Sequence, residues 1–112
     1  MEETLAKRCI PCEGGIESLT QERIQNLLQE IPGWQLDTLQ KSIFRHFSFK
    51  NFYEVMAFVN AIAWLANSEN HHPNISLSYN ECMISYTTHS ISGLTENDFI
   101  CAAKINALQK IV

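Results

Sequence analysis

Between Asn51 and Asn70 the chain carries its strongest periodic signal, and that signal commits it to a layered fold. Phe52, Val55, Met56, Val59, Ile62, Ala63 and Ala66 recur at helical spacing. Asn51 with Glu54 three residues later supplies a start: a short side chain to accept from unpaired amides, and an acid in the first turn. Phe58, Trp64 and Leu65 lie off that stripe. A helix apolar on more than one side calls for a second layer, or a second subunit, to cover it. Asn67-Ser68-Glu69-Asn70 ends it, and His71 follows at once.

The segments on either side supply the layers. Thr20 is a candidate N-cap for a helix carrying Ile24, Leu27, Leu28 and Ile31, which Pro32-Gly33 stops. Trp34 to Leu36 reads as a strand, and a turn near Asp37-Thr38 leads to a longer one. There Leu39, Ile43, Phe47 and Phe49 share the odd-numbered face with the stems of Lys41 and Arg45. Ile75, Leu77 and Tyr79 alternate as a third strand, Asn80-Glu81 turns, and Cys82, Ile84 and Tyr86 alternate as a fourth. Thr95, with Asp98 at the third helical position, opens a last helix through Phe99, Ala102, Ile105 and Leu108. The order α-β-β-α-β-β-α predicts an α+β single domain: a four-stranded antiparallel sheet with three helices packed on one face. Residues 1–17 are expected to form an irregular N-terminal arm, and residues 18–112 the domain.

Composition excludes several function classes. At 112 residues, with 46% apolar and 18% charged residues, this is an ordinary globule. A net charge of −4 argues against a nucleic-acid surface. No apolar run is long enough to span a membrane, and the charged first twenty residues hold no secretory signal. The expected setting is cytoplasmic, with the four cysteines reduced. Cys9-Ile10-Pro11-Cys12 has the spacing of half a zinc site or of a redox pair. Cys82 and Cys101 sit alone in other elements, so the pair reads as incidental, in a mobile arm.

The chemistry lies in the histidines. Of four, three stand at the ends of the second hairpin: His71 and His72 before its first strand, His89 after its second. Folding that hairpin brings all three to one rim of the sheet, where Asp98 can face them. His46, on the polar face of the second strand, reads as a surface residue. Asp98 also has a plain role as a helix cap, and Pro73 as a brace that keeps His72 extended. Three imidazoles and a water would suit catalytic zinc. Adjacent residues on an extended segment point to opposite sides, however, so His71 and His72 are poorly placed to share an ion. Metal-free acid–base work is the better fit, because imidazole both gives and takes a proton near neutrality. Neither a metal nor a cofactor is expected.

Asn70-His71-His72-Pro73, Tyr79-Asn80, Thr87-Thr88-His89, Gly93-Leu94-Thr95 and Asp98 together closely resemble the pterin-4a-carbinolamine dehydratase family. Pro32-Gly33-Trp34, the Ile43, Arg45, Phe47, Phe49, Phe52 pattern and Phe58-Val59-Asn60 extend the resemblance over about residues 18 to 108. The resemblance implies a hydro-lyase that removes water from 4a-hydroxytetrahydrobiopterin, or its pterin equivalent, to give quinonoid dihydropterin. That reaction recycles the tetrahydropterin used by aromatic amino acid hydroxylases. It implies His71, His72 and His89 as catalytic residues, and Pro73, Thr88, Ser90 and Asp98 as substrate-binding. It also implies a homodimer or homotetramer. The alternative it carries is a non-catalytic pterin-binding or protein-interaction module, a coactivator or assembly factor, on the same fold. Family members often have an acid four positions before the first histidine, where this chain has Asn67. Glu69, two before, is the nearest substitute.

Overall fold

The computed structural model describes residues 2–11 and 16–110. Its elements are α1 (Glu2–Ala6), α2 (Gln21–Leu28), β1 (Gln35–Leu36), β2 (Ile43–Ser48), α3 (Phe52–Glu69), β3 (Asn74–Leu77), β4 (Glu81–Tyr86) and α4 (Glu96–Gln109). The strands form one antiparallel sheet in the order β1-β2-β4-β3. Ile43 and Phe47 on β2, with Cys82, Ile84 and Tyr86 on β4, bury one sheet face. Against it pack Ile24 and Leu27 of α2, Val55, Phe58, Ile62 and Leu65 of α3, and Phe99, Ala102 and Ile105 of α4. The other face carries Phe44, His46 and Ser48, none of them buried. This is the expected α+β architecture, with α2, α3 and α4 on one side of the sheet.

The helix starts follow from their caps. Thr20 accepts from the Arg23 amide at 3.2 Å and Asn51 from the Glu54 amide at 3.1 Å. The Glu54 carboxylate reaches back to the Lys50 amide at 2.9 Å.

Four expectations are corrected. Residues 2–6 of the arm are helical, not irregular, and Lys104 ties that turn to α4 by donating to the Leu5 carbonyl at 2.7 Å. Leu39 is 73% exposed instead of inward-facing. The Asp37 carboxylate gathers the Lys41 and Ser42 amides into a turn that holds Leu39 outside β2. On α3 the buried stripe is Val55, Phe58, Ile62, Leu65 and Ala66. Phe58 and Leu65 thus enter the core, while Phe52 and Trp64 face outward. Tyr79 lies in the connection between β3 and β4, closed by the Ser78 amide on the Glu81 carbonyl at 2.9 Å, and is exposed.

Candidate active site

Two chain reversals build the site. Asn70 ends α3 in the left-handed conformation (φ 53°, ψ 41°), which asparagine tolerates. The His71 amide then donates to the Ala66 carbonyl at 3.1 Å. Facing this, β4 runs out into Thr87 and Thr88, and Thr88 exchanges backbone hydrogen bonds with Gly93. A 3-10 turn at His89–Ile91 fills the span between them. The Asn74–Ser85 pairing of β3 with β4 sets the two reversals side by side.

His71 is held on two sides. Its ring stacks on Tyr86, with centroids 5.3 Å apart and planes 10° from parallel. Its Nε2 donates to Asp98 Oδ1 at 2.7 Å. The other Asp98 oxygen accepts from the Thr95 amide and the Thr88 hydroxyl, each at 2.9 Å. Because Thr88 donates there, its oxygen accepts from the Thr95 hydroxyl 2.8 Å away. Asp98 is 0% exposed, so a buried carboxylate with three donors fixes the His71 tautomer: Nε2 carries hydrogen, and no described residue bonds Nδ1. Burial disfavours the charged ring, but the Asp98 hydrogen bond and negative charge outweigh it, with a smaller contribution from Cys101. The His71 pKa is raised.

A cleft of about 260 Å3 opens beside this network, lined by Asn70, His71, His72, Thr87, Thr88, His89 and Ser90. Five of the seven residues expected at the site therefore share one cavity. The other two differ. Asp98 stands behind His71 and buttresses it, and Pro73 is absent from the lining. His72 is exposed and meets Asn67 Oδ1 at 3.0 Å, so the residue in the place of the usual family acid still contacts a site histidine. Glu69 does not substitute for that acid. Its carboxylate accepts from the Cys9 amide at 2.8 Å and pairs with Arg8 at 2.6 Å. His89 is exposed, its imidazole has no hydrogen-bond partner among the described residues, and His46 lies away from the cleft on the open sheet face. Among the described residues no group of three or more His, Cys, Asp or Glu is arranged to hold a metal ion.

Sequence reasoning missed Tyr86 and Thr95 as parts of the site, and marked Asn67 only as standing in the place of the usual family acid. Tyr86 carried a signal, since alternation puts it on the same side of its strand as Thr88. Asn67 lies on the outer surface of α3, one turn and a cap before His72, where polarity alone marks nothing.

Fold and site together define the class: an α+β domain whose sheet rim holds a carboxylate-buttressed imidazole beside a three-histidine cleft. Comparison with known proteins narrows it. The family model described as Pterin 4 alpha carbinolamine dehydratase matches residues 17–108. A protein of Nitrosospira multiformis, provisionally named pterin-4-alpha-carbinolamine dehydratase, is 51% identical over 99% of this chain and 96% of its own. A Legionella pneumophila protein of the same provisional name is 54% identical over 92% of each chain. Among solved structures, a transcriptional coactivator/pterin dehydratase from Brucella melitensis superposes with a TM-score of 0.79 at 34% identity, covering 82% of this chain and 98% of that one. A pterin dehydratase-like protein described as a RuBisCO assembly factor in the alpha-carboxysome has a TM-score of 0.60 at 24% identity, a likeness of fold alone, over 70% of this chain and 92% of its own. The chain belongs to the pterin-4-alpha-carbinolamine dehydratase family.

Proposed function

We propose that the chain is a 4a-hydroxytetrahydrobiopterin dehydratase working by histidine acid–base catalysis. The observation that carries this reading is the cleft itself: three of the chain's four histidines line one cavity, and the buried one is backed by a carboxylate. In the reaction the C4a–O bond breaks, N5 gives up its proton, and a C4a–N5 double bond forms as water leaves. An acid must protonate the departing hydroxyl and a base must take the N5 proton. No electrons change hands, so no redox cofactor is called on. Each proton transfer is worth roughly 10²–10⁴-fold. His71, its proton affinity raised by Asp98, suits the acid. His89, exposed and with an imidazole that no described residue bonds, suits the base. His72 and the Ser90 hydroxyl position the pterin, and Asp98, Thr88 and Tyr86 act through His71 as positioning residues.

Stopped-flow dehydration of freshly generated carbinolamine tests the proposal. His71→Ala and His89→Ala should each slow it at least about 10²-fold, and the unaltered chain should show an inflection near or above pH 6.5. Unchanged rates in both variants would refute it. The cellular role we infer is tetrahydropterin recycling for aromatic hydroxylation, in the cytoplasm, by a homodimer or homotetramer. The names of the two solved neighbours, a coactivator and an assembly factor, favour a second reading. Pterin bound without turnover would support a non-catalytic module instead.

A further inference from the structure

The sulfur of Cys9 lies 3.5 Å from that of Cys101 across 92 residues of sequence, and neither lines the cleft. That contact is prepared by a ring of other bonds. The Cys9 amide donates to Glu69 Oε1 at 2.8 Å, and the Ile10 amide donates to Asn97 Oδ1 at 3.0 Å. Asn97 Nδ2 returns a bond to the Ile10 carbonyl at 2.7 Å, while Lys104 holds the Leu5 carbonyl. Four hydrogen bonds between the N-terminal segment and α3 or α4 thus bring two thiols to van der Waals contact. Cys9 is half-buried and reachable, whereas Cys101 is fully buried behind it. Cys82, the other described cysteine, makes no thiol contact among the described residues, and burial pushes its pKa up to about 11.

We propose that Cys9 and Cys101 are a reversible disulfide-forming site that covalently fastens the N-terminal segment to α4 when a small-molecule disulfide such as oxidised glutathione is present. The step balances without a further oxidant. The Cys9 thiolate attacks one sulfur of glutathione disulfide, forms a mixed disulfide and releases one glutathione thiolate. The Cys101 thiolate then attacks Cys9 Sγ, forms the intramolecular bond and releases the second glutathione. Two electrons pass from the cysteine pair to the two glutathiones, which take up the two thiol protons. The order follows access, since only Cys9 can be reached from outside. Its hydrogen bond with Cys101 and its partial burial raise the Cys9 pKa, so the first exchange is the slow step; Cys101, already 3.5 Å from Cys9, then completes the second. Nothing in this assignment depends on which reaction the cleft performs.

The test uses the full reduced chain, equilibrated with mixtures of reduced and oxidised glutathione, alkylated and mapped by fragment-ion mass spectrometry. A single Cys9–Cys101 bond is expected, forming equally in Cys12→Ser. In Cys101→Ser it should be replaced by glutathione retained on Cys9. Because the bond closes a long loop, the oxidised chain should melt at least about 5 °C above the reduced chain, and dithiothreitol should erase the difference. A Cys9–Cys12 bond as sole product would overturn the assignment. So would a lasting glutathione adduct on Cys9 of the unaltered chain, or a cross-link whose yield grows with chain concentration. The mapping of the unaltered chain and of Cys12→Ser stands even if Cys101→Ser folds poorly.

Discussion

Asp98 does two jobs with two oxygens: one serves the start of α4 through the Thr95 amide, the other holds His71. Asp98→Asn separates them. An amide NH2 turned toward Thr95 would meet a donor, so the Asn side chain must present its oxygen there and its NH2 to His71. The imidazole must then switch tautomer, and its charged form loses its partner. Burial, the larger opposing influence on His71, would then prevail and carry its pKa below 6.5. In the unaltered chain a raised His71 pKa contributes stability that is complete below about pH 6.5 and is lost as pH climbs through the folded-state value. In the variant the contribution reverses, present above about pH 6.5 and lost as pH falls. Urea midpoints measured from pH 5.5 to 8, with NMR titration of His71, should show the slope change sign. An unchanged slope would mean that Asp98 does not govern this ring.

At the level of elements, Pro32-Gly33 does more than stop a helix. Gly33 has φ 91°, and a Cβ there would stand 2.6 Å from Arg45 Nε. That guanidinium cannot easily withdraw: it lies 4.5 Å over the Phe47 ring and donates to Asn106 Oδ1 at 2.7 Å, an oxygen also used by the Trp34 indole at 2.8 Å. Gly33→Ala should cost ~1–3 kcal/mol, read as a lower urea midpoint at unchanged m-value. The elements themselves were legible wherever a local rule has a local cause. The Thr20 and Asn51 caps and the period-2 strands each rest on a few neighbouring residues. What escaped was set by distant partners. The stripe on α3 drifts because Phe58 meets Phe47 and Phe49, with ring centroids 4.8 and 5.2 Å away, and no counting along one helix reveals that. α1 lacks an amphipathic pattern of useful length and owes its place to α4. The histidine cleft was visible because hairpin closure is itself a short-range rule. The Thr95 hydroxyl was not, since it depends on how α4 meets the sheet, and of the Tyr86 stack only the strand face was legible, not the ring contact with His71.

For the molecule as a whole, the outer surface of α3 is the open question that the core leaves. Phe58 and Leu65 are satisfied inside one chain, which removes most of the sequence-based case for a covering subunit. Tyr53 at 88% and Trp64 at 72% exposure remain. They lie eleven positions apart, close to three helical turns, and so on one side of α3. We expect sedimentation velocity at micromolar concentration to report a dimer or tetramer, and Trp64→Lys to shift it toward monomer if this surface is the contact. A lone monomer in the unaltered chain would dispose of the expectation.

The carboxylate shared between a helix start and an imidazole also gives the chain a built-in gauge. Every proton that His71 gains or loses alters the charge facing Asp98, and the Thr95 amide hydrogen feels it through the other oxygen of the same group. That single backbone resonance should trace the ring's titration from a distance, without a label in the cavity, and should fall silent in Asp98→Asn.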